Sequence, residues 1–263
     1  MRDFRILGIQ ARYAITGTLR SPRIIFFAII FPIVLLVLFN SIFASGDNKT
    51  TQFAGGTIST AAYFTAGLAA YAIMLQTFSA LAVSLTTQRE SGELKRLRGT
   101  PMPSWTFIGG YILRSIILVV VMVVVLFAIG VGFYHVHLTG AGIVGIAVYV
   151  IVGTFSLATL GIAITTITPT AEVASTVGPF TAVILSFISG VFIPVATLPN
   201  WLEAVGRVFP LYHLAEGLQR SVASVGGNTG LSGTNLAVLA GWGIVGLLVA
   251  ARTFRWQPQG VTA

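Results

Sequence analysis

Charged side chains concentrate in one short stretch of this chain, residues 88–104, which lies between two long apolar runs. Its ionisable residues available for pairing are Arg89, Glu90, Glu93, Lys95, Arg96 and Arg98. A basic segment between two apolar runs is typical of the cytoplasmic face of a membrane protein, where Lys and Arg accumulate. Because the stretch mixes both signs of charge, it favours contact with a soluble protein partner over attachment to lipid alone.

The other reactive side chains form no catalytic or metal-binding pattern. The chain has no cysteine and three histidines, and His135 and His137 are two positions apart, so they do not share a helix face. The HExxH, GxSxG and GxxxxGK[ST] motifs do not occur, so we predict no metal site, no hydrolase and no ATP hydrolysis on this chain.

Composition identifies the chain as a polytopic membrane protein. It has 263 residues, of which 55% are hydrophobic and only 8% charged, and its mean hydropathy is +0.91. Soluble domains carry about 25% charged residues. The net charge of +8 comes from positions beside the apolar runs, which argues for membrane topology and against binding of nucleic acid.

Six apolar runs predict an all-α fold with six transmembrane helices in a single domain, residues 1–263. The predicted spans are residues 24–43, 60–87, 105–133, 141–167, 173–193 and 235–251. Residues 1–23 place arginines away from an apolar stripe, which predicts a helix lying on the membrane surface. Residues 44–59 are predicted to be a polar loop. Thr168, Pro169 and Glu172 predict a helix start, with Thr168 as the N-cap.

Residues 195–222 predict a helical hairpin between the fifth and sixth spans. Two short amphipathic helices fit, over about residues 199–208 and 211–222, with Pro210 between them. Neither reaches the roughly 20 residues that cross a bilayer. We therefore predict a re-entrant or surface hairpin on the outer side.

The distribution of positive charge sets the predicted orientation. With both termini inside, twelve of the fifteen Lys and Arg residues fall on the cytoplasmic side, and Lys49, Arg207 and Arg220 fall outside. The predicted span centres hold no ionisable residue, since Arg114 and Glu172 lie near cytoplasmic ends. Ion-driven carriers usually place such residues within the membrane, so the pattern disfavours that class.

Two motifs on this six-span frame resemble the membrane subunit of ABC type-2 exporters. One is RESGELKRLRGTP at residues 89–101, and the other runs from SGVFIP through LPNW to FPLYH at residues 189–213. The resemblance covers essentially the whole chain. Within the family, which includes the ABCG-like proteins, the sequence looks most similar to the daunorubicin-resistance type of bacterial permease.

The resemblance implies a role for each segment. Residues 88–104 would be a coupling helix that rides on a nucleotide-binding subunit, and Glu90 would pair with a basic residue there. Two permease chains would face each other through spans two and five. The residues implied for the substrate path are Tyr71, Gln76, Phe180 and Phe187, with helix packing as the alternative for each. Those implied for the outer gate are Phe192, Pro194, Pro199, Trp201, Pro210 and Tyr212.

The function expected from this resemblance is that of a permease subunit of an ATP-driven exporter in a bacterial cell membrane. It would carry a hydrophobic or amphiphilic substrate such as a drug, lipid or glycolipid, and a drug cargo would confer multidrug resistance. ATP and Mg would bind to the partner ATPase subunit, with no cofactor on this chain. Two alternatives stay open: an ion-coupled secondary carrier or channel that needs no ATPase, and a structural or assembly subunit of the membrane.

Overall fold

The computed structural model describes residues 26–44, 49–94, 104–224 and 227–253. The predicted N-terminal surface helix lies outside the described residues, and so do Lys95, Arg96 and Arg98. Residues 104–108 are described for their backbone alone.

The described residues are overwhelmingly helical. In chain order the helices are α1 (Phe31–Phe43), α2 (Thr60–Glu90), α3 (Ser104–Tyr134), α4 (Gly140–Ile164), α5 (Ala171–Ile188), α6 (Asn200–Gly206), α7 (Pro210–Val222) and α8 (Gly233–Thr253). Turns with π-helical geometry precede α1 at Phe26–Ile30 and interrupt α2 at Leu75–Ser79. Strands β1 (Thr50–Phe53) and β2 (Gly56–Ser59) form a small antiparallel hairpin.

Five of these helices are long and apolar enough to cross a membrane: α2, α3 from Gly109 onward, α4, α5 and α8 up to Arg252. The predicted all-α polytopic class is therefore confirmed. Helix α1 is apolar but has only 13 residues, and the predicted first span begins before the first described residue. The count of six spans therefore stays a prediction.

Helix α2 is the centre of the helix packing. Inside its most apolar stretch 78% of the residues are buried, against 22% for α5. We name the halves and ends of α2 after the predicted orientation, so the half that begins at Thr60 is the outer half and the half that ends at Glu90 is the inner half. The outer half packs against α1, α3 and α7, and the inner half packs against α4 and α5. Small residues allow this close approach: a Cβ atom on Gly161 of α4 would lie 2.7 Å from the Phe78 carbonyl oxygen.

The prediction of a polar loop over residues 44–59 is wrong for residues 50–59, which form the β-hairpin. The register pairs Thr50 with Ser59 and Phe53 with Gly56, leaving a two-residue turn. Phe53 and Ile58 are buried and attach the hairpin to the helices. The sequence pattern does not predict this hairpin, because each strand has only four residues and only one buried apolar side chain.

The predicted N-cap of α5 is also wrong, by two residues. Thr170 caps the helix, accepting a 3.2 Å hydrogen bond from the backbone N–H of Val173, and Glu172 lies in the first turn. Thr168 instead continues the end of α4, and its N–H donates to the Ile164 carbonyl over 3.2 Å. Threonines stand on both sides of Pro169, and capping chemistry alone does not choose between them.

Candidate functional site

The inner end of α2 carries a buried cation that binds another part of the chain. Arg89, in the last helical turn, has only 2% of its surface exposed. Its guanidinium donates hydrogen bonds to three backbone carbonyls. These are the carbonyl of Thr165 at 2.8 Å, that of Thr168, and that of Pro169 at 3.1 Å. These carbonyls follow the last turn of α4, where the helix dipole favours positive charge. Arg89 therefore fixes the inner end of α2 to the turn between α4 and α5.

Two carboxylates beside Arg89 are exposed. Helix α2 ends after Glu90, and Gly92 adopts the left-handed conformation with φ of +74° that commonly terminates helices. The chain then turns back, so that Leu94 is fully buried and packs with an inner cluster that includes Leu81 and Leu85. Glu90 and Glu93 stay on the surface. The described start of the 88–104 segment is thus held to the protein body with its acidic side chains outward.

The predicted coupling residues therefore divide into two groups. Glu90 and Glu93 are accessible, whereas Arg89 makes contacts inside the chain, a role the sequence did not indicate. That residues 88–104 form a coupling helix stays a prediction, because only 88–94 and Ser104 are described.

Gln88, at the start of this segment, donates a hydrogen bond to the hydroxyl of Tyr111, which ties α2 to α3. Arg114, one turn further along α3, is 7% exposed.

The outer end of α2 holds the opposite end of α5. After α5 the chain passes through Gly190, whose φ of +73° is a left-handed conformation that favours glycine. The Gly190 carbonyl accepts hydrogen bonds from the Tyr63 hydroxyl and, at 3.3 Å, from the side-chain amide of Gln219. One backbone oxygen therefore joins α2, α7 and the segment after α5. Its partners lie 127 and 29 positions away, so no local sequence signal could have paired them.

An aromatic cluster surrounds Phe192, two residues further on. Its ring centroid lies 5.5 Å from that of Phe39, 5.1 Å from that of Tyr71 and 5.2 Å from that of Phe187. These distances are in the range of favourable aromatic contacts. The cluster brings together α1, α2 and α5, and it joins the implied gate residue Phe192 to the implied path residues Tyr71 and Phe187.

The four implied path residues differ in their exposure. Tyr71 and Gln76 on α2 are 2% and 7% exposed, so this chain itself encloses them. Phe180 and Phe187 on α5 are 65% and 44% exposed. The sequence placed all four in spans but could not show that α2 is the interior helix and α5 a peripheral one.

The segment over residues 195–222 contains the two predicted short helices, α6 and α7, with a 3-10 turn at Val195–Thr197. Of the implied gate residues, Phe192, Pro210 and Tyr212 are buried, Pro194 is half-buried, and Pro199 and Trp201 are exposed. Helix α7 is almost wholly buried between α2, α4 and α8. Its re-entrant orientation stays a prediction.

Polar contacts hold α6 and α7 in place. His213 bridges the Arg207 carbonyl at the end of α6 and the Asn235 side chain of α8, both at 2.8 Å. Arg207 pairs with Glu203 at 2.6 Å, and this hydrogen bond raises the pKa of the arginine. Burial raises the pKa of the Tyr212 phenol. In the described residues no three His, Cys, Asp or Glu side chains form a group that could hold a metal ion.

Spanning helices around an interior α2, with side chains tying its two ends to the two ends of α5, define a multi-pass membrane protein. A family model described as ABC-2 type transporter matches residues 8–222, and the chain belongs to this family. It is therefore a permease component of ABC type. A comparison with curated proteins found no match.

Proposed function

We propose that this chain is the permease subunit of an ATP-driven exporter that pairs with a second permease chain and with a separate ATPase subunit. The two permease chains would enclose the path of a hydrophobic or amphiphilic substrate such as a drug, lipid or glycolipid. ATP and Mg would bind to the ATPase. Membership of the ABC-2 type transporter family supports the proposal.

The observation that carries the proposal is the arrangement at the inner end of α2. Glu90 is exposed and Arg89, its neighbour, is bonded to the turn before α5. A displacement that a partner imposes at Glu90 would therefore reach both α2 and α5 without crossing a flexible segment. A rigid connection between a partner surface and the spanning helices is one physical means of coupling ATP hydrolysis to transport.

The surface of α5 supports pairing with a second permease chain. Its exposed apolar residues are Val173, Phe180, Ile184 and Phe187, between 37% and 65% exposed. Their spacing places them on one stripe of the helix. A stripe that is apolar, aromatic and uncharged suits both a chain-to-chain contact and an amphiphilic cargo.

The test is a pull-down of the tagged chain from native membranes in mild detergent, beside Glu90→Arg. We expect an ATPase to co-purify with the native chain. Charge reversal should lower its recovery about tenfold, which corresponds to ~1.4 kcal/mol of binding free energy. Mass spectrometry of the eluate identifies the ATPase and measures its recovery, and an ATP hydrolysis assay measures its activity.

Glu203→Arg is the control, because it makes the same change at a residue on the opposite predicted side of the membrane, where Glu203 is partly exposed and pairs with Arg207. It should leave recovery of the ATPase unchanged. If no ATPase accompanies the native chain, the proposal loses its energy source. Solute uptake into liposomes along an ion gradient, without ATP, would then favour a carrier or channel.

A further inference from the structure

A groove of about 480 Å³ opens between the end of α1, the β-hairpin and the segment after α5. Its volume is in the range of sites that hold small ligands, about 300–1,000 Å³. Side chains of α1, α2, the β-hairpin and the segment after α5 line it, together with Lys49.

The lining of the groove is divided into an apolar and a polar part. Phe43, Phe64 and Phe192 supply aromatic surface, and the Phe43 and Phe64 ring centroids are 5.4 Å apart. The polar part contains Lys49 and three threonines. The hydroxyls of Thr51 and Thr60 are 2.9 Å apart, so one donates to the other and the accepting hydroxyl keeps a proton to donate elsewhere.

The charge of the polar part is positive. Lys49 is exposed and forms no ion pair with a carboxylate of the residues that the structure describes. An ammonium group beside hydroxyl donors is complementary to a phosphate group. Thr60 is also the first residue of the spanning helix α2, which places the polar part where that span ends and lipid headgroups begin.

The apolar part is continuous with an exposed apolar surface of α1. Phe43, at the last turn of α1, is 48% exposed. Val34, Leu38 and Ile42 of the same helix are 49%, 47% and 58% exposed, and their spacing of four residues places them on one stripe. An occupant could therefore place its head in the groove and let its apolar chain run along α1. A water-soluble ligand would make no use of this continuity.

We propose that this groove is a binding site for an anionic phospholipid of the membrane. The phosphate lies against Lys49, Thr51 and Thr60, and an acyl chain packs on Phe43 and Phe64. Because Phe192 also belongs to the aromatic cluster at the outer end of α2, the bound lipid supports the segment that follows α5. The proposal is independent of the ATPase.

The test measures lipid retained by the purified full-length chain, by native mass spectrometry. The probes are phosphatidylglycerol and phosphatidylcholine with identical acyl chains. We expect the native chain to prefer phosphatidylglycerol. Lys49→Gln should lower its retention about three- to tenfold, as expected for one interfacial lysine, and leave phosphatidylcholine unchanged. Phe43→Ala should weaken retention of both lipids.

Arg207→Gln is the matched control, because it removes a positive charge from another exposed position on the predicted outer side. It should not change the lipid preference. Equal retention of the two lipids by the native chain would overturn the proposal, and so would equal losses in Lys49→Gln and Arg207→Gln. Displacement of the lipid by glycerol 3-phosphate at low concentration would identify a site for a free phosphate instead. The measurement needs neither ATP nor transport, so its failure is distinct from failure of the proposed function.

Discussion

Helix α2 holds α5 at both ends, but the two attachments differ in chemistry and in the packing around them. At the inner end a buried cation, Arg89, binds three carbonyls ahead of α5, and the inner half of α2 packs along α5. At the outer end two neutral donors, Tyr63 and Gln219, bind one carbonyl, that of Gly190. The outer half of α2 packs mainly against α1, α3 and α7 instead.

This difference indicates which end of α5 can separate from α2. At the inner end, separation would break charge-assisted hydrogen bonds and uncover helix packing together. At the outer end it would break the neutral hydrogen bond from Tyr63 and aromatic contacts around Phe192, which are weaker individually, while the bond from Gln219 ties the same carbonyl to α7. In a transporter that opens outward, we expect the outer end to move while the inner end stays fixed.

The largest effect is expected from Arg89→Leu. The change leaves three backbone carbonyls without their donor in a buried region, and hydrogen bonds to charged groups contribute about 1.5–3 kcal/mol each. We expect the free energy of unfolding to fall by about 3 kcal/mol or more, with poor recovery from membranes. Thermal unfolding of the purified chain in detergent measures the loss.

Arg89→Lys provides the control for the role of charge. A lysine keeps the positive charge near the end of α4 but lacks the planar fork that reaches several carbonyls, so it should recover only part of the lost stability. If Arg89→Leu unfolds at the same temperature as the native chain, the inner attachment does not stabilise the fold. The inference that α5 is held more strongly at its inner end than at its outer end would then be wrong.

The contrast also shows what the sequence could and could not predict. Five long apolar helices of the described residues lie close to five of the predicted apolar runs, because hydrophobic length is a local property of the sequence. The direction of a charged side chain is not local. Arg89 appeared to belong with Glu90 on a partner surface, yet its carbonyl acceptors lie 76 or more positions along the chain.

The same limit applies to the candidate site at the outer end. Sequence resemblance selected Phe192 and Pro194, but nothing local to them indicated Tyr63 or Gln219. Gly190 carries a weak signal, since a glycine directly after an apolar helix often terminates it with positive φ. The β-hairpin also carries only a weak signal, because Gly55 and Gly56 permit a tight turn but the two-residue turn itself, Ala54-Gly55, lacks the usual Asn-Gly or Asp-Gly pair.

An intermediate effect is expected from Gly190→Ala, which tests the outer attachment through the backbone. A left-handed conformation costs a residue with a Cβ atom about 1–2 kcal/mol, and here the new Cβ would also meet a methyl group of Val195. We expect a loss of about 2 kcal/mol in the free energy of unfolding. Chemical unfolding followed by tryptophan fluorescence is the measurement.

Gly132→Ala is the matched control for this change. Gly132 lies in α3, and nothing would be within 4 Å of its added Cβ atom. Because alanine favours a helix over glycine, that variant should be as stable as the native chain or more so, by about 0.5–1 kcal/mol. Equal behaviour of the two variants would show that the turn at Gly190 adapts without strain.

The smallest effect is expected from Tyr63→Phe, which removes one of the two donors to the Gly190 carbonyl. The loss should be about 1 kcal/mol, because Gln219 still satisfies the oxygen and the aromatic ring still packs. Gln219→Leu alone should cost a similar amount. The double variant leaves the carbonyl buried without either donor, so its loss should exceed the sum of the two single losses. A strictly additive double variant, measured by the same unfolding assay, would mean that the two donors act independently and that Gly190 is not the point that joins α2, α5 and α7.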